Sequence, residues 1–158
     1  MTKAVLIALL VLCFKSSNCQ FKGDVVAISD GDTFTLLTSD QKQIKVRLHG
    51  IDCPESGQDF GSKAKIFLSS LIFSKKILID DKGQDRYGRT IGVVYLDGLN
   101  INEEMLKNGM AWHYKKYDKN PEWSELENSA RLDKKGLWIQ EGALPPWEWR
   151  SNRKKVSN

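Results

Sequence analysis

Apolar positions along the chain change period several times, and each change predicts an element. Phe21–Ile28 carries β-branched residues and reads as a strand. The Ser29-Asp30-Gly31-Asp32 turn follows, then Thr33–Leu37 as a second strand. From Gln43 to Leu48 the chain alternates: Ile44, Val46 and Leu48 point one way, Lys45 and Arg47 the other. Three strands joined by tight turns make a meander. Ala64, Phe67, Leu68 and Leu71 recur at helical spacing and predict a helix over about Ser62–Phe73. Lys76–Ile79 and Ile91–Tyr95 read as strands, with the polar, glycine-punctuated Asp80–Arg89 as a loop between them. Asn100 caps a second helix with Glu103 as its box partner, and Gly109 stops it. Met110–Tyr114 is apolar and ambiguous. Asn120, Pro121 and Gly136 bracket a third helix packed by Trp123, Leu126 and Ala130. The tail after Trp138 reads as irregular and basic at its end.

The sum is a mainly β chain with helices, of the α+β class: a five-stranded, antiparallel barrel with two or three helices. Strands do not alternate with helices in βαβ fashion, and no GxGxxG, GxxxxGK or HExxH occurs. Short strands with polar connections suit a small barrel such as the OB-fold. The 158 residues suffice for one domain of ordinary size.

The amino terminus has a different pattern. Lys3 precedes an unbroken apolar run, Ala4–Phe14, and Lys15-Ser16-Ser17-Asn18 returns to polar residues. As a helix that run rises about 16 Å, short of the roughly 30 Å hydrocarbon core. It predicts a secretory signal peptide over residues 1–19 and a domain over 20–158, exported to the periplasm or medium with no stable membrane span. Cys19 as the lipid-modified first residue of a lipoprotein is the weaker alternative. Cys13 leaves with the signal. Only Cys19–Cys53 then remains as a possible disulfide, and a buried free thiol suits Cys53 better. The formal charge is +4, and +2 without Lys3 and Lys15. That weakly basic balance permits a polyanionic substrate without demanding one.

Candidate chemistry lies at the meander ends. Asp32 follows the tight turn, and Asp52-Cys53-Pro54-Glu55 follows the third strand. Adjacent strands bring such ends together, so Asp32, Asp52 and the Cys53 carbonyl form a hard oxygen set for Ca²⁺ or Mg²⁺ rather than zinc. Glu55 is placed to orient or deprotonate a water. Arg47 and Arg89 supply two forks for a phosphodiester. Each fragment alone reads as an ordinary turn, cap or solvated strand; their order together carries the inference.

That order resembles the thermonuclease (staphylococcal nuclease) family, in particular its exported branch in Gram-negative bacteria and plasmids. The matching pieces are VVAISDGDTFTL, IKVRLHGIDCPE, DRYGRTIGVVYLDGLNINEEMLKNGMAW, ARLDKKGLW and PPWEWR. The resemblance implies an OB-type barrel with three helices. It implies an endonuclease that acts as a monomer, uses Ca²⁺ in preference to Mg²⁺, cleaves DNA and RNA and leaves 3′-phosphate ends. It implies Asp32 and Asp52 as metal ligands with the Cys53 backbone carbonyl, and Asp30 as a further acidic residue beside them. Glu55 takes the place of the general base, and Arg47 and Arg89 those of the phosphate-binding arginines. Tyr87 and Tyr114 fall where substrate-lining tyrosines are found. Trp112 and His113 depart from the pattern there, with His113 a surface or helper residue rather than a catalytic acid. Trp147 and Trp149 either stack on bases or close the barrel against the last helix.

Overall fold

The computed structural model describes residues 19–156. Of the predicted signal segment 1–19, residues 1–18 lie outside them. The elements in order are β1 (Gln20–Ile28), β2 (Thr33–Thr38), β3 (Gln43–Leu48), β4 (Ile51–Asp52), α1 (Gly61–Ile72), β5 (Lys76–Gln84), β6 (Thr90–Leu96), β7 (Leu99–Asn100), α2 (Ile101–Lys107), β8 (Trp112–His113), α3 (Pro121–Leu132), a 3₁₀ turn (Gly136–Ile139) and α4 (Pro146–Val156).

Strands β1, β2 and β3 form the predicted meander, and β5 and β6 add on the far side of β1. The barrel closes where β3 meets β6, with Val46 opposite Thr90 and Leu48 opposite Gly92. That pair is parallel, which corrects the all-antiparallel expectation. Closure leaves the five long strands without a free edge between β3 and β6. The alternation in β3 holds: Val46 and Leu48 are buried in the core, and Arg47 points out of it. Phe34, Leu36, Ile77, Ile79 and Val94 fill the barrel, and Leu68, Ile72, Ile101, Met105 and Leu106 seal it from the helices.

Three local expectations are corrected. Strand β5 runs on to Gln84, so the loop shrinks to Asp85–Arg89. Polar residues prolong β5 because β6 supplies ladder partners for them, with Asp81 opposite Gly92. The ambiguous Met110–Tyr114 segment contains β8, which pairs with β4. Most consequential is the tail: Pro146–Val156 is a helix, the fourth, not an irregular end. Pro146 begins it, and α3 ends at Leu132, before the predicted Gly136. The caps fare better. The Asn100 and Asn120 side chains accept from the Glu103 and Glu122 backbone N–H groups, and Gly109 lies in the left-handed region at φ 64°. Cys19 is an exposed free thiol and Cys53 a buried one, so the two are not joined.

A second apolar cluster joins α3, the 3₁₀ turn and α4. Trp112 meets Trp138 edge to face at 4.3 Å between centroids, and Arg131 lies 3.7 Å over Trp138. Trp147 of α4 packs on Trp112 at 5.7 Å and stacks on Tyr114 at 5.0 Å with planes 8° apart. Of the two readings of Trp147, packing against the body is the one found. It docks α4 beside β4 and β8.

A polar knot braces β8 from behind. His113 is buried rather than at the surface. Its ring nitrogens lie 2.9 Å from Ser124 Oγ and 3.1 Å from Asp118 Oδ1, and His49 Nε2 lies 3.2 Å from Asp118 Oδ2. Burial acts to raise the Asp118 carboxyl, but the Asn120 N–H and the His113 and His49 rings outweigh it and hold it below its usual range. A depressed folded value means the ionised form stabilises the fold above the unfolded pKa of about 3.9, and that gain disappears as pH falls through the folded value. Asp118→Asn is therefore expected to cost about 1–3 kcal/mol at pH 7. Thermal melts of both proteins should converge below about pH 4; a gap that is constant down to pH 3 would contradict the assignment.

Candidate active site

Pairing of β2 with β3 sets Thr33 opposite Arg47, and so brings the turn before β2 to the end of β3. In that turn Asp30 Oδ1 accepts from the Asp32 N–H at 3.1 Å, a side-chain turn that aims the Asp32 carboxylate at β4. Asp32 Oδ1 accepts from Thr33 Oγ at 3.0 Å, and Oδ2 from the Cys53 N–H at 3.1 Å. The Cys53 thiol, which burial pushes well above its ordinary pKa, donates to the Gly31 carbonyl at 3.2 Å. Cys53 thus ties the first acidic turn to the second by backbone and side chain.

Arg47 spans the gap. Its Nη2 donates to Asp52 Oδ1 at 2.7 Å, and its Nη1 lies 2.7 Å from Asp32 Oδ2 as an ion pair without hydrogen-bond alignment. Burial works against the Arg47 charge, but Asp32 and Asp52 more than offset it and hold the guanidinium protonated. Asp52 is almost wholly buried. Burial raises its pKa, with the Asp32 charge adding to the rise and Arg150 and Arg47 opposing it.

Arg150 is the residue the sequence analysis did not single out. Its Nη2 lies 2.7 Å from Asp52 Oδ2, its Nη1 3.3 Å from Asp52 Oδ1 and 2.6 Å from Glu55 Oε1. It reaches the site because α4 is a helix. Trp147 stands three residues earlier, hence one turn back on the same side, and anchors α4 on Tyr114. The signal was present in the sequence: Pro145-Pro146 followed by WEWR offers proline at the first helical position and an apolar residue three before an arginine.

Glu55 is half-buried, with its N–H on Gln58 Oε1 at 3.2 Å. Behind it runs a close backbone approach. A Cβ on Gly61 would meet the Glu55 carbonyl oxygen at 1.9 Å, so α1 can begin there only with glycine. Arg89 comes from the end of the loop before β6, the strand paired with β3. Its Nε and Nη2 grip Asp85 Oδ2 at 2.8 and 2.7 Å, and its Nη1 lies 3.5 Å from Thr33 Oγ, the hydroxyl bound to Asp32. All five predicted polar residues therefore belong to one connected cluster, Asp32–Arg47–Asp52, with Glu55 reached through Arg150 and Arg89 through Thr33. Tyr87 is 69% exposed beside Arg86 and Arg89. Tyr114 has one ring face covered by Trp147 and meets Tyr117 edge to face at 4.9 Å.

The cluster's charge bears on what it can hold. Among the described residues no group of three or more His, Cys, Asp or Glu side chains forms a metal cage. The donors are instead two aspartates flanking Arg47, with the Cys53 backbone beside them. Four carboxyl groups, Asp30, Asp32, Asp52 and Glu55, face two guanidinium groups, Arg47 and Arg150. Burial and then the Asp32 charge push the Asp30 carboxyl up to about 6. A hard divalent cation relieves such crowding of carboxyl groups. A Ca²⁺ or Mg²⁺ ion therefore suits the donor set, with water completing its shell.

Comparison with known proteins gives the family. The family model described as staphylococcal nuclease homologue matches residues 45–140. The chain belongs to the staphylococcal nuclease homologue family. It is 44% identical over 155 residues to an uncharacterized endonuclease of Haemophilus influenzae, covering 96% of this chain and 87% of that one. It is 41% identical over 167 residues to a micrococcal nuclease of Shigella flexneri, covering 99% and 95%. A probable staphylococcal-like nuclease of rice matches at 42% over 113 residues, 72% of this chain and 34% of its own length. The family match spans Arg47, Asp52, Glu55 and Arg89. Asp32 and Arg150 fall outside it. Among the described residues no helix is long and apolar enough to cross a membrane.

Proposed function

We propose that this family member is an exported, monomeric, calcium-dependent endonuclease that hydrolyses DNA and RNA to 3′-phosphate ends. The family supports the coarser statement, a nuclease-type hydrolase active on nucleic acids. One observation supports the site: Arg47 joins Asp32 to Asp52, with Glu55 on one flank and Arg89 on the other. Export of residues 20–158 rests on the amino-terminal pattern.

Asp32, Asp52 and the Cys53 carbonyl would hold the cation. When bound, it supplies Lewis-acid charge beside a phosphate oxygen. The residues do the rest. Glu55 takes a proton from a water, whose oxygen attacks phosphorus in line. The bond from phosphorus to the 5′-oxygen breaks, and that oxygen leaves as a hydroxyl, taking its proton from solvent water. Arg47 and Arg89 offset the charge that builds on the equatorial oxygens. Tyr87, exposed beside Arg89, offers a ring to the adjoining base. Tyr114 offers only the face that Trp147 leaves open.

The reading is tested by digesting single-stranded DNA, double-stranded DNA and RNA with purified protein and analysing the new ends. Products should carry 3′-phosphate and 5′-hydroxyl groups. Arg89→Ala should slow cleavage about 10²-fold or more. New 5′-phosphates would contradict the direction of attack, and a wild-type rate for Arg89→Ala would remove that arginine from the site.

A further inference from the structure

Arg150 stands outside the five-residue set and outside the matched family span, yet it makes two of the closest contacts in the site, 2.7 Å to Asp52 and 2.6 Å to Glu55. Both Asp52 oxygens are engaged: Oδ1 by Arg47 and Arg150, Oδ2 by Arg150. A cation on an Asp52 oxygen would sit against a guanidinium of like charge, so its binding favours the withdrawal of one of the two arginines. Arg47 is held from two sides, by Asp32 and Asp52, and its side chain is 15% exposed. Arg150 comes from the molecule's rim, and its side chain is 39% exposed. It is the one placed to move. Its fork now lies across the Asp52 carboxylate and reaches Glu55, and the same planar fork fits a phosphate. Its backbone is fixed by α4, which Trp147 pins to Tyr114 and Trp112, so withdrawal from Asp52 leaves the guanidinium at the mouth of the same site.

We propose that Arg150 is a third substrate-phosphate ligand of this enzyme, parked on Asp52 and Glu55 until a divalent cation takes Asp52. This rests on the nuclease reading above. It makes the carboxyl-terminal helix part of the substrate site rather than a packing appendage. Arg150 competes with the cation in the free protein and binds nucleic acid in the loaded one. The neighbouring Arg153, Lys154 and Lys155 in the last turn of α4 extend positive charge away from Arg150 along the helix.

Two measurements on full-length mature protein test this. The first is calcium affinity by titration calorimetry without nucleic acid. Arg150→Gln and Arg150→Lys should both bind calcium several-fold more tightly than wild type, since neither can bridge Asp52 and Glu55 as the fork does. The second is the anisotropy of a labelled, all-phosphorothioate single-stranded oligonucleotide, with saturating calcium, at salt from about 50 to 200 mM. Arg150→Gln should weaken binding about tenfold. It should also flatten the slope of log affinity against log salt by about 0.7, one single-strand phosphate contact. Arg150→Lys should keep the slope. A structural strut would leave the salt slope unchanged and would weaken calcium binding when removed; either result overturns the proposal. If Arg150→Gln melts early, the tighter calcium binding and retained slope of Arg150→Lys still decide it. If wild type fails to bind the oligonucleotide, the nuclease reading falls. If wild type binds and Arg150→Gln matches it, only the role of Arg150 falls.

Discussion

Replacing Arg47 with alanine is expected to lower the cleavage rate about 10²-fold or more and to destabilise the protein by about 3 kcal/mol. The two effects have one origin. Arg47 lies between two buried carboxylates, 2.7 Å from each. Without it, Asp32 loses its ion pair and Asp52 keeps only Arg150 on the solvent side. Removing one partner of a buried pair costs about 3–5 kcal/mol because the remaining charge is stranded. Arg150 still serves Asp52, which places the cost at the lower end of that range. Catalysis loses more than stability does, since an aimed guanidinium acts on charge that grows only in the transition state. Arg47→Lys separates the two. One ammonium restores part of the stability, but it cannot reach both carboxylates with the geometry of a fork, so the rate stays low. Urea melts and initial cleavage rates on the three proteins provide the check. A stable, fully active Arg47→Ala protein would contradict both the electrostatic account and the site.

The barrel was legible because its strands obey simple periods. Alternation in β3 marks Val46 and Leu48 as core and Arg47 as outward-facing, and both hold. Asn100, Gly109 and Asn120 mark helix ends through local backbone chemistry, which needs no tertiary context. The parallel β3–β6 closure was not legible. It joins segments more than forty residues apart, and no turn specifies it. The same holds for β8, whose two residues are a strand only because Ile51 and Asp52 lie beside them.

The site divides along the same line. Asp32, Arg47, Asp52 and Glu55 sit on one meander, so their order in the sequence approximates their order in space. Arg89 lies on a separate loop, and its link to the cluster passes through Thr33, a contact that the sequence does not display. Arg150, in PPWEWR, is harder to read from sequence. A tail rich in tryptophan and arginine shows neither alternation nor a long apolar stripe. Pro146 offers a first helical position, but the packing of Trp147 on Tyr114 and Trp112 is what sets the helix against the site.

Removal of divalent cations should have the largest effect of all. Asp30, Asp32, Asp52 and Glu55 exceed the nearby arginines in charge, and Asp30 is pushed up to about 6 by burial and by Asp32. A cation there relieves that crowding, so calcium should raise the melting temperature as well as permit cleavage. Magnesium, which demands a tighter octahedral shell, should support less of both. The direct test is the rate at which purified mature protein cleaves single-stranded DNA in calcium, in magnesium and in EDTA, with melting followed in parallel. The predicted result is cleavage with calcium, slower cleavage with magnesium and none with EDTA, with a calcium-dependent rise in melting temperature. Equal rates in calcium and EDTA would contradict a cation-dependent nuclease site built on Asp32 and Asp52.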